Sequence, residues 1–137
     1  MDGQDITLLS ALKSRMGWLT ERQKLVAQNV ANASTPGYKP KDLTAQDFSA
    51  LMQGDAGGGG LTMTRTSTMH ISPDSAAPAG AKEVVSPDSE TTMDGNSVVL
   101  EEQMLKMSES RLQFQAAVGF YEKSLDMVRM AARAPGK

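Results

Sequence analysis

An all-α fold is predicted: two long terminal helices pairing as an antiparallel coiled coil, joined by a largely irregular middle segment with room for a short β-hairpin. Three observations predict it. Asp5 to Ala33 and Ser97 to Arg133 contain no proline and one glycine each, Gly17 and Gly119. Both segments repeat apolar residues at alternating spacings of three and four. Between them, Ser34 to Asn96 holds five of the six prolines and the Gly57–Gly60 run. That stretch has too little apolar surface to offset the entropy of ordering it. The 137 residues are expected to form one domain. Its parts are a helix and turn over 1–40, a flexible middle over 41–96 and a helix over 97–137.

In the first helix the repeat runs Leu9, Leu12, Met16, Leu19, Gln23, Val26, Val30 and Ala33, with seven of the eight apolar. In the last it runs Met104, Met107, Arg111, Phe114, Val118, Tyr121, Leu125 and Val128, again with seven of eight. Such seams favour coiled-coil pairing over an ordinary surface helix. Each covers about 37 Å at 1.5 Å per residue. The matching lengths predict an antiparallel register in which Leu9 meets Val128, Leu19 meets Val118 and Ala33 meets Met104. Gln23 and Arg111 then fall in adjacent layers, where a hydrogen bond between them would fix the register. Pro135-Gly136 ends the second helix.

A second apolar strip accompanies the seams. The first helix adds Ala11, Trp18 and Leu25; the last adds Val98, Leu105, Leu112, Phe120 and Met127. A two-helix hairpin buries one seam per helix, so this strip is expected to meet other subunits, with Trp18, Leu25, Leu105, Leu112, Phe120 and Met127 as contact candidates. The middle segment has few large apolar groups to cover it. Within that segment, Leu61 to Ile71 alternates weakly and is the candidate for a strand or hairpin arm.

Composition excludes several classes of chemistry. There is no cysteine and one histidine, His70, so thiolate metal sites, disulfides, cysteine nucleophiles and Ser-His triads are ruled out. Gly57–Gly60 lacks the Lys-Ser/Thr ending of a phosphate loop. The carboxylates form no convergent acid–base pair, so no enzyme activity, cofactor or metal is expected. A formal charge of −2 gives no reason to expect nucleic acid. It divides unevenly: residues 1–41 carry six bases and three acids, the remainder eight and thirteen. No apolar run is long enough to span a membrane, and the N-terminus does not read as a cleavable signal. Absence of cysteine fits a reducing compartment and disulfide-free export equally.

The first helix runs into Gln28-Asn29-Val30-Ala31-Asn32-Ala33-Ser34-Thr35-Pro36-Gly37-Tyr38-Lys39. Pro36 disfavours helical geometry at Thr35, and Pro36-Gly37 suits the centre of a type II turn. Asn29 and Asn32 share a helix face, where their amides can satisfy turn backbone, and the Tyr38 ring is placed to clamp the turn on the helix. Asn29, Asn32, Thr35, Pro36, Gly37 and Tyr38 resemble the N-terminal signature of the bacterial flagellar axial proteins. Gly95-Asn96-Ser97, Leu100-Glu101 and Leu112 to Gln115 resemble the C-terminal one. Val99 departs from that pattern, since relatives tend to carry an N-capping Asp there. Capping is then expected from Asn96 or Ser97, with Glu101 and Glu102 favourable in the first turn. The short middle, and the run from Pro36 to Leu43 continuing to Asp47-Phe48, are most similar to the proximal rod members of the flagellar basal-body rod family.

That resemblance implies a structural subunit exported by the flagellar type III apparatus, which polymerises through its terminal helices into the proximal rod of the drive shaft. It implies homo- and hetero-oligomeric contacts with other rod subunits and the MS-ring/rod adaptor, and a place in the basal body, in the rod crossing the periplasm. Phe48 and Met52 resemble the short segment that docks such subunits at the export gate; a one-turn amphipathic anchor explains them as well. Periodicity alone fits a soluble intracellular coiled-coil adaptor equally, and the Asn29–Lys39 signature separates the two readings.

Overall fold

The computed structural model describes residues 3–47 and 81–133. Its elements are α1 (Gly3–Ala31), β1 (Lys41–Leu43), β2 (Glu83–Val85) and α2 (Leu100–Ala132). The helices contain 29 and 33 residues, so they are about 44 and 50 Å long. They pack side by side and antiparallel: Asn29 near the end of α1 meets Gln103 near the start of α2. The described residues are mostly helical, as expected. Among the described residues no helix is long and apolar enough to cross a membrane.

α1 ends where helix-breaking chemistry begins. The N–H of Asn32 still reaches Gln28 and Asn29, that of Ala33 tightens onto Val30, and Tyr38 N donates to Thr35 O at 3.2 Å. Gly37 sits at φ +70° in the third position of that Thr35–Tyr38 turn, the sign a type II turn requires and one that a side chain disfavours. The chain then extends into β1, which pairs antiparallel with β2 through Lys41–Val85, Asp42–Val84 and Leu43–Glu83. The Leu61–Ile71 stretch lies outside the described residues, as do Phe48, Met52 and Pro135-Gly136.

The core sits where α1, α2 and β1 converge. Trp18, Leu19, Leu25 and Leu43 are buried together, with Ala81 and Phe114 packed against them. Two expectations are corrected here. Trp18 (4% exposed) and Leu25 are interior residues of this chain, so neither is available to a neighbouring subunit. The helix-pair seam is also displaced. On α1, Leu12, Leu19 and Val26 are buried, as the repeat predicts, but Ala11, Trp18, Leu25 and Asn29 are the buried companions. Leu9 and Met16 are only half-buried, and Val30 is exposed.

On α2 the buried column is Gln103, Ser110, Ala117 and Ser124, each one residue before an expected seam position. Met107, Phe114, Val118, Tyr121, Leu125 and Val128 are half-buried flanks, whereas Met104 is exposed. The rotation goes with the polar ties: Gln103 is turned inward to Asn29 and Asp88, which sets the buried column one residue back, and Phe114 packs against the Trp18 cluster from its flank. The register moves too: Asn29 meets Gln103, whereas the predicted register sets it against Ser108. Gln23 is half-buried, Arg111 is exposed, and no hydrogen bond joins them. The polar ties across the helices are Asn29–Gln103, Arg15–Gln113 and the Arg22–Glu109 ion pair.

Candidate functional site

Three features are built on this frame: a polar junction at the closed end of the hairpin, a cation-rich tie in its middle, and an apolar outer face on α2.

The junction is organised by Asn29, which is 1% exposed. Its Nδ2 donates to Lys41 O at 2.8 Å and to Gln103 Oε1 at 2.9 Å. Its Oδ1 accepts from Lys41 N at 3.0 Å and from the Tyr38 hydroxyl at 3.1 Å. All four hydrogen-bonding valences of the amide are therefore used. One side chain links α1, the turn, β1 and α2. Gln103 extends the chain of bonds, with Nε2 donating to both oxygens of Asp88 at 3.0 and 2.8 Å. Lys106 Nζ reaches the same carboxylate at 2.9 Å. The Asp88 side chain is fully enclosed. Burial alone pushes its carboxyl up, but hydrogen bonds from Lys106, the Val99 N–H and Gln103 outweigh this and hold it below its ordinary value.

Asp88 also caps α2. Val99 stands at the helix start in extended conformation with no capping bond from its own side chain, and its N–H donates to Asp88 Oδ2 at 2.9 Å. Capping thus comes from eleven residues upstream. Asn96 contributes only a preceding Asx turn, accepting from Val98 N at 2.8 Å. The Ser97 hydroxyl is buried without a partner.

Asn96 has a second and larger task. Its buried Nδ2 lies 3.0, 3.0 and 2.7 Å from the carbonyls of Asn32, Ala33 and Thr35. The C-terminal end of α1, where carbonyls lose their helical partners, is therefore closed by a residue 61–64 positions away. Asn32 closes locally, donating to Gln28 O and accepting from the Thr35 hydroxyl. Gly37 N donates to Asp94 O and Ser97 N to Tyr38 O, which lays the Thr35–Tyr38 turn against the Thr92–Gly95 turn. Gly95, at φ +83°, would place a Cβ 3.4 Å from Gly37 Cα.

In the middle of the hairpin, Arg22 grips Asp42 of β1 through two bonds of 3.0 and 3.1 Å, and its other nitrogen lies 3.8 Å from Glu109 of α2. The guanidiniums of Arg15 and Arg22 lie 4.7 and 5.5 Å from the Trp18 ring centre, within cation–π range. The indole N–H donates to Thr44 O at 3.0 Å. Partial burial and the neighbouring Arg22 charge lower the Arg15 pKa.

The outer face of α2 inverts the usual pattern. Its inward column is Gln, Ser, Ala and Ser, while Leu105 (70% exposed), Leu112 (65%), Phe120 (63%) and Met130 (64%) are left in solvent, and Met127 (50%) sits at the edge of the face next to α1. The outer face of α1 carries Ser10, Lys13, Thr20, Lys24, Ala27 and Gln28 instead. At the open end, Leu8, Leu9, Ser124, Met127, Val128 and Ala131 line a shallow cleft of about 210 Å³. No group of acidic or histidine side chains that could hold a metal occurs among the described residues.

The signature residues Asn29, Asn32, Thr35, Gly37 and Tyr38 are thus brought together with Asn96, with Pro36 exposed on the turn. Of the six proposed subunit contacts, Leu105, Leu112, Phe120 and Met127 are exposed. Asp88, Gln103 and the double role of Asn96 escape a reading of the sequence. The only local signal is polarity in a helix-facing position, which does not name a partner.

Comparison with known proteins follows the same residues. The family described as "Flagella basal body rod protein" matches residues 9–39, which contain all of the N-terminal signature. The flagellar basal body rod protein FlgB of Agrobacterium fabrum strain C58 is 31% identical over 132 residues, covering 95% of this chain and 96% of that one. The FlgB proteins of Escherichia coli K12 and Yersinia enterocolitica are 31% and 30% identical over 100 residues, spanning 72% and 71% of those relatives and 72% and 69% of this chain. With its signature folded into a saturated junction and its length matched nearly end to end, the chain belongs to the FlgB family of flagellar basal body rod proteins.

Proposed function

We propose that this chain is exported through the flagellar type III apparatus and polymerises, by burying the outer face of α2 against neighbouring subunits, into the proximal rod where it crosses the periplasm. As a member of the rod family it is a structural component of the basal body and not an enzyme, and it assembles with other rod components. The finer partners are neighbouring rod subunits and the MS-ring/rod adaptor. Phe48 and Met52 are the residues proposed to dock at the export gate.

One observation carries this reading: the buried column of α2 is Gln, Ser, Ala and Ser, while Leu105, Leu112, Phe120, Met127 and Met130 remain at least half exposed. Leaving Leu105, Leu112, Phe120, Met127 and Met130 at 50–70% exposure forfeits roughly 1–2 kcal/mol apiece that full burial would recover. An apolar surface of that kind marks a protein contact. Leu112→Asp and Phe120→Asp lie outside the core, so the protein should remain folded and be exported, yet basal bodies should lack rods and cells should not swim. Normal motility in both would refute the reading. Phe48→Ala with Met52→Ala should reduce export itself, with the subunit accumulating in the cytoplasm.

A further inference from the structure

The outer face of α2 is nearly its own complement when reversed. Along it run Leu105, Glu109, Leu112, Ala116, Phe120, Lys123 and Met127, at spacings of 4, 3, 4, 4, 3 and 4, the same in either direction. At 100° per residue all seven fall within an arc of about 80°. Their chemistry mirrors as well as their spacing. Turned end for end about Ala116, Leu105 falls on Met127, Leu112 on Phe120, and Glu109 on Lys123. All seven are exposed. Lys123 has no salt bridge among the described residues; Glu109 lies 3.8 Å from Arg22 and accepts from Gln113 Nε2 at 3.2 Å, and its side chain is still 53% exposed.

We propose that two copies of this chain pair through α2 about a two-fold axis at Ala116. The helices run antiparallel, with Ala116 against its own counterpart and the Leu105–Met127 and Leu112–Phe120 layers stacked on either side. Charge complementarity selects a second copy as the occupant: the antiparallel order sets both Glu109–Lys123 pairs opposite in sign, whereas a parallel order sets each charge against its like. The small side chain at the axis allows close helix approach. Such an interface is isologous and closes on itself, while a growing rod needs heterologous contacts that remain open. The pairing does not depend on the rod reading. Its consequence, that the dimer withholds the α2 face from polymerisation until a competing neighbour displaces one copy, rests on it.

The chain contains no cysteine, so a single introduced one is a clean probe. In purified full-length protein, Ala116→Cys should oxidise to a disulfide-linked dimer at micromolar concentration, because the two sulfurs meet on the axis. Leu105→Cys alone and Lys24→Cys, on the outer face of α1, should not. An equimolar mixture of Leu105→Cys and Met127→Cys chains should cross-link to each other. In sedimentation, K123E should weaken dimerisation at least tenfold, and adding E109K should restore most of it, with circular dichroism unchanged. Absence of the Ala116→Cys cross-link, equal cross-linking from Leu105→Cys alone, or no rescue by the double reversal would overturn the pairing. Motility of the Leu112→Asp strain reports on the rod reading separately.

Discussion

The side-chain amides of Asn29 and Gln103 lie 2.9 Å apart, Nδ2 to Oε1, although 74 residues separate them. Through that bond the N-terminal signature is tied to the helix that carries the outer apolar face, and Gln103 passes the connection on to Asp88. Family signature and helix register are thus the same structural fact.

Asn29 uses all four bonds of its amide in one buried place, so its substitution should be costly. Asn29→Asp preserves shape but replaces two donors with an acceptor facing Lys41 O and Gln103 Oε1, leaving a charge enclosed among carbonyls. It should destabilise the fold by about 3–5 kcal/mol, and Asn29→Ala by about 1–3 kcal/mol. Urea denaturation followed by circular dichroism measures both; an Asp variant as stable as wild type would contradict the assigned bonds.

Asp88 makes stability depend on pH in a defined direction. Its folded pKa is depressed, so its contribution is complete above the unfolded value near 4 and fades as pH falls through the lower, folded value. Asp88→Asn should therefore lower the melting temperature at pH 7, and the gap to wild type should narrow toward pH 3. A gap that is constant across that range would mean the carboxylate is not the stabilising form.

Ser110 offers the opposite outcome. Its hydroxyl is enclosed between the helices without a partner, so Ser110→Ala removes a desolvated polar group and raises helix propensity. Stability should rise by about 0.5–1.5 kcal/mol. A loss of more than about 1 kcal/mol would show that the hydroxyl is bonded in solution.

Gly37→Ala isolates backbone cost from packing. No atom lies within 4 Å of the position its Cβ would take, yet φ is +70°. The loss should be about 1–2 kcal/mol, from the left-handed conformation alone. An unchanged unfolding midpoint would show that the turn relaxes to another type.

Much of this architecture is legible in the residues. The absence of proline, the heptad spacing and Pro36-Gly37 are local properties, and they mark both helices and the turn. Asn29 and Tyr38 are within nine residues of each other, so their clamp is also readable. The facing column on α2 is not. Its outer residues are as apolar as its flanks, so periodicity alone admits several rotations of the helix, and the observed one goes with the inward bonds of Gln103 to Asn29 and Asp88, which apolar spacing does not show. The roles of Asp88 and Asn96 are hidden for a related reason: each serves a helix end distant in sequence, and hydrogen-bond geometry leaves no periodic trace. Strands as short as Lys41–Leu43 and Glu83–Val85 carry too few residues for alternation to register.

The junction holds the hairpin at one extremity, whereas the other ends in the cleft between Leu8, Leu9 and Val128. A lever follows from that layout. With α2 about 50 Å long, a 5° swing about the Asn29–Gln103 pivot carries the far tip roughly 4 Å. Such a swing would stretch the Arg15–Gln113 and Arg22–Glu109 ties that lie between the two ends, so those two contacts limit the travel of the tip.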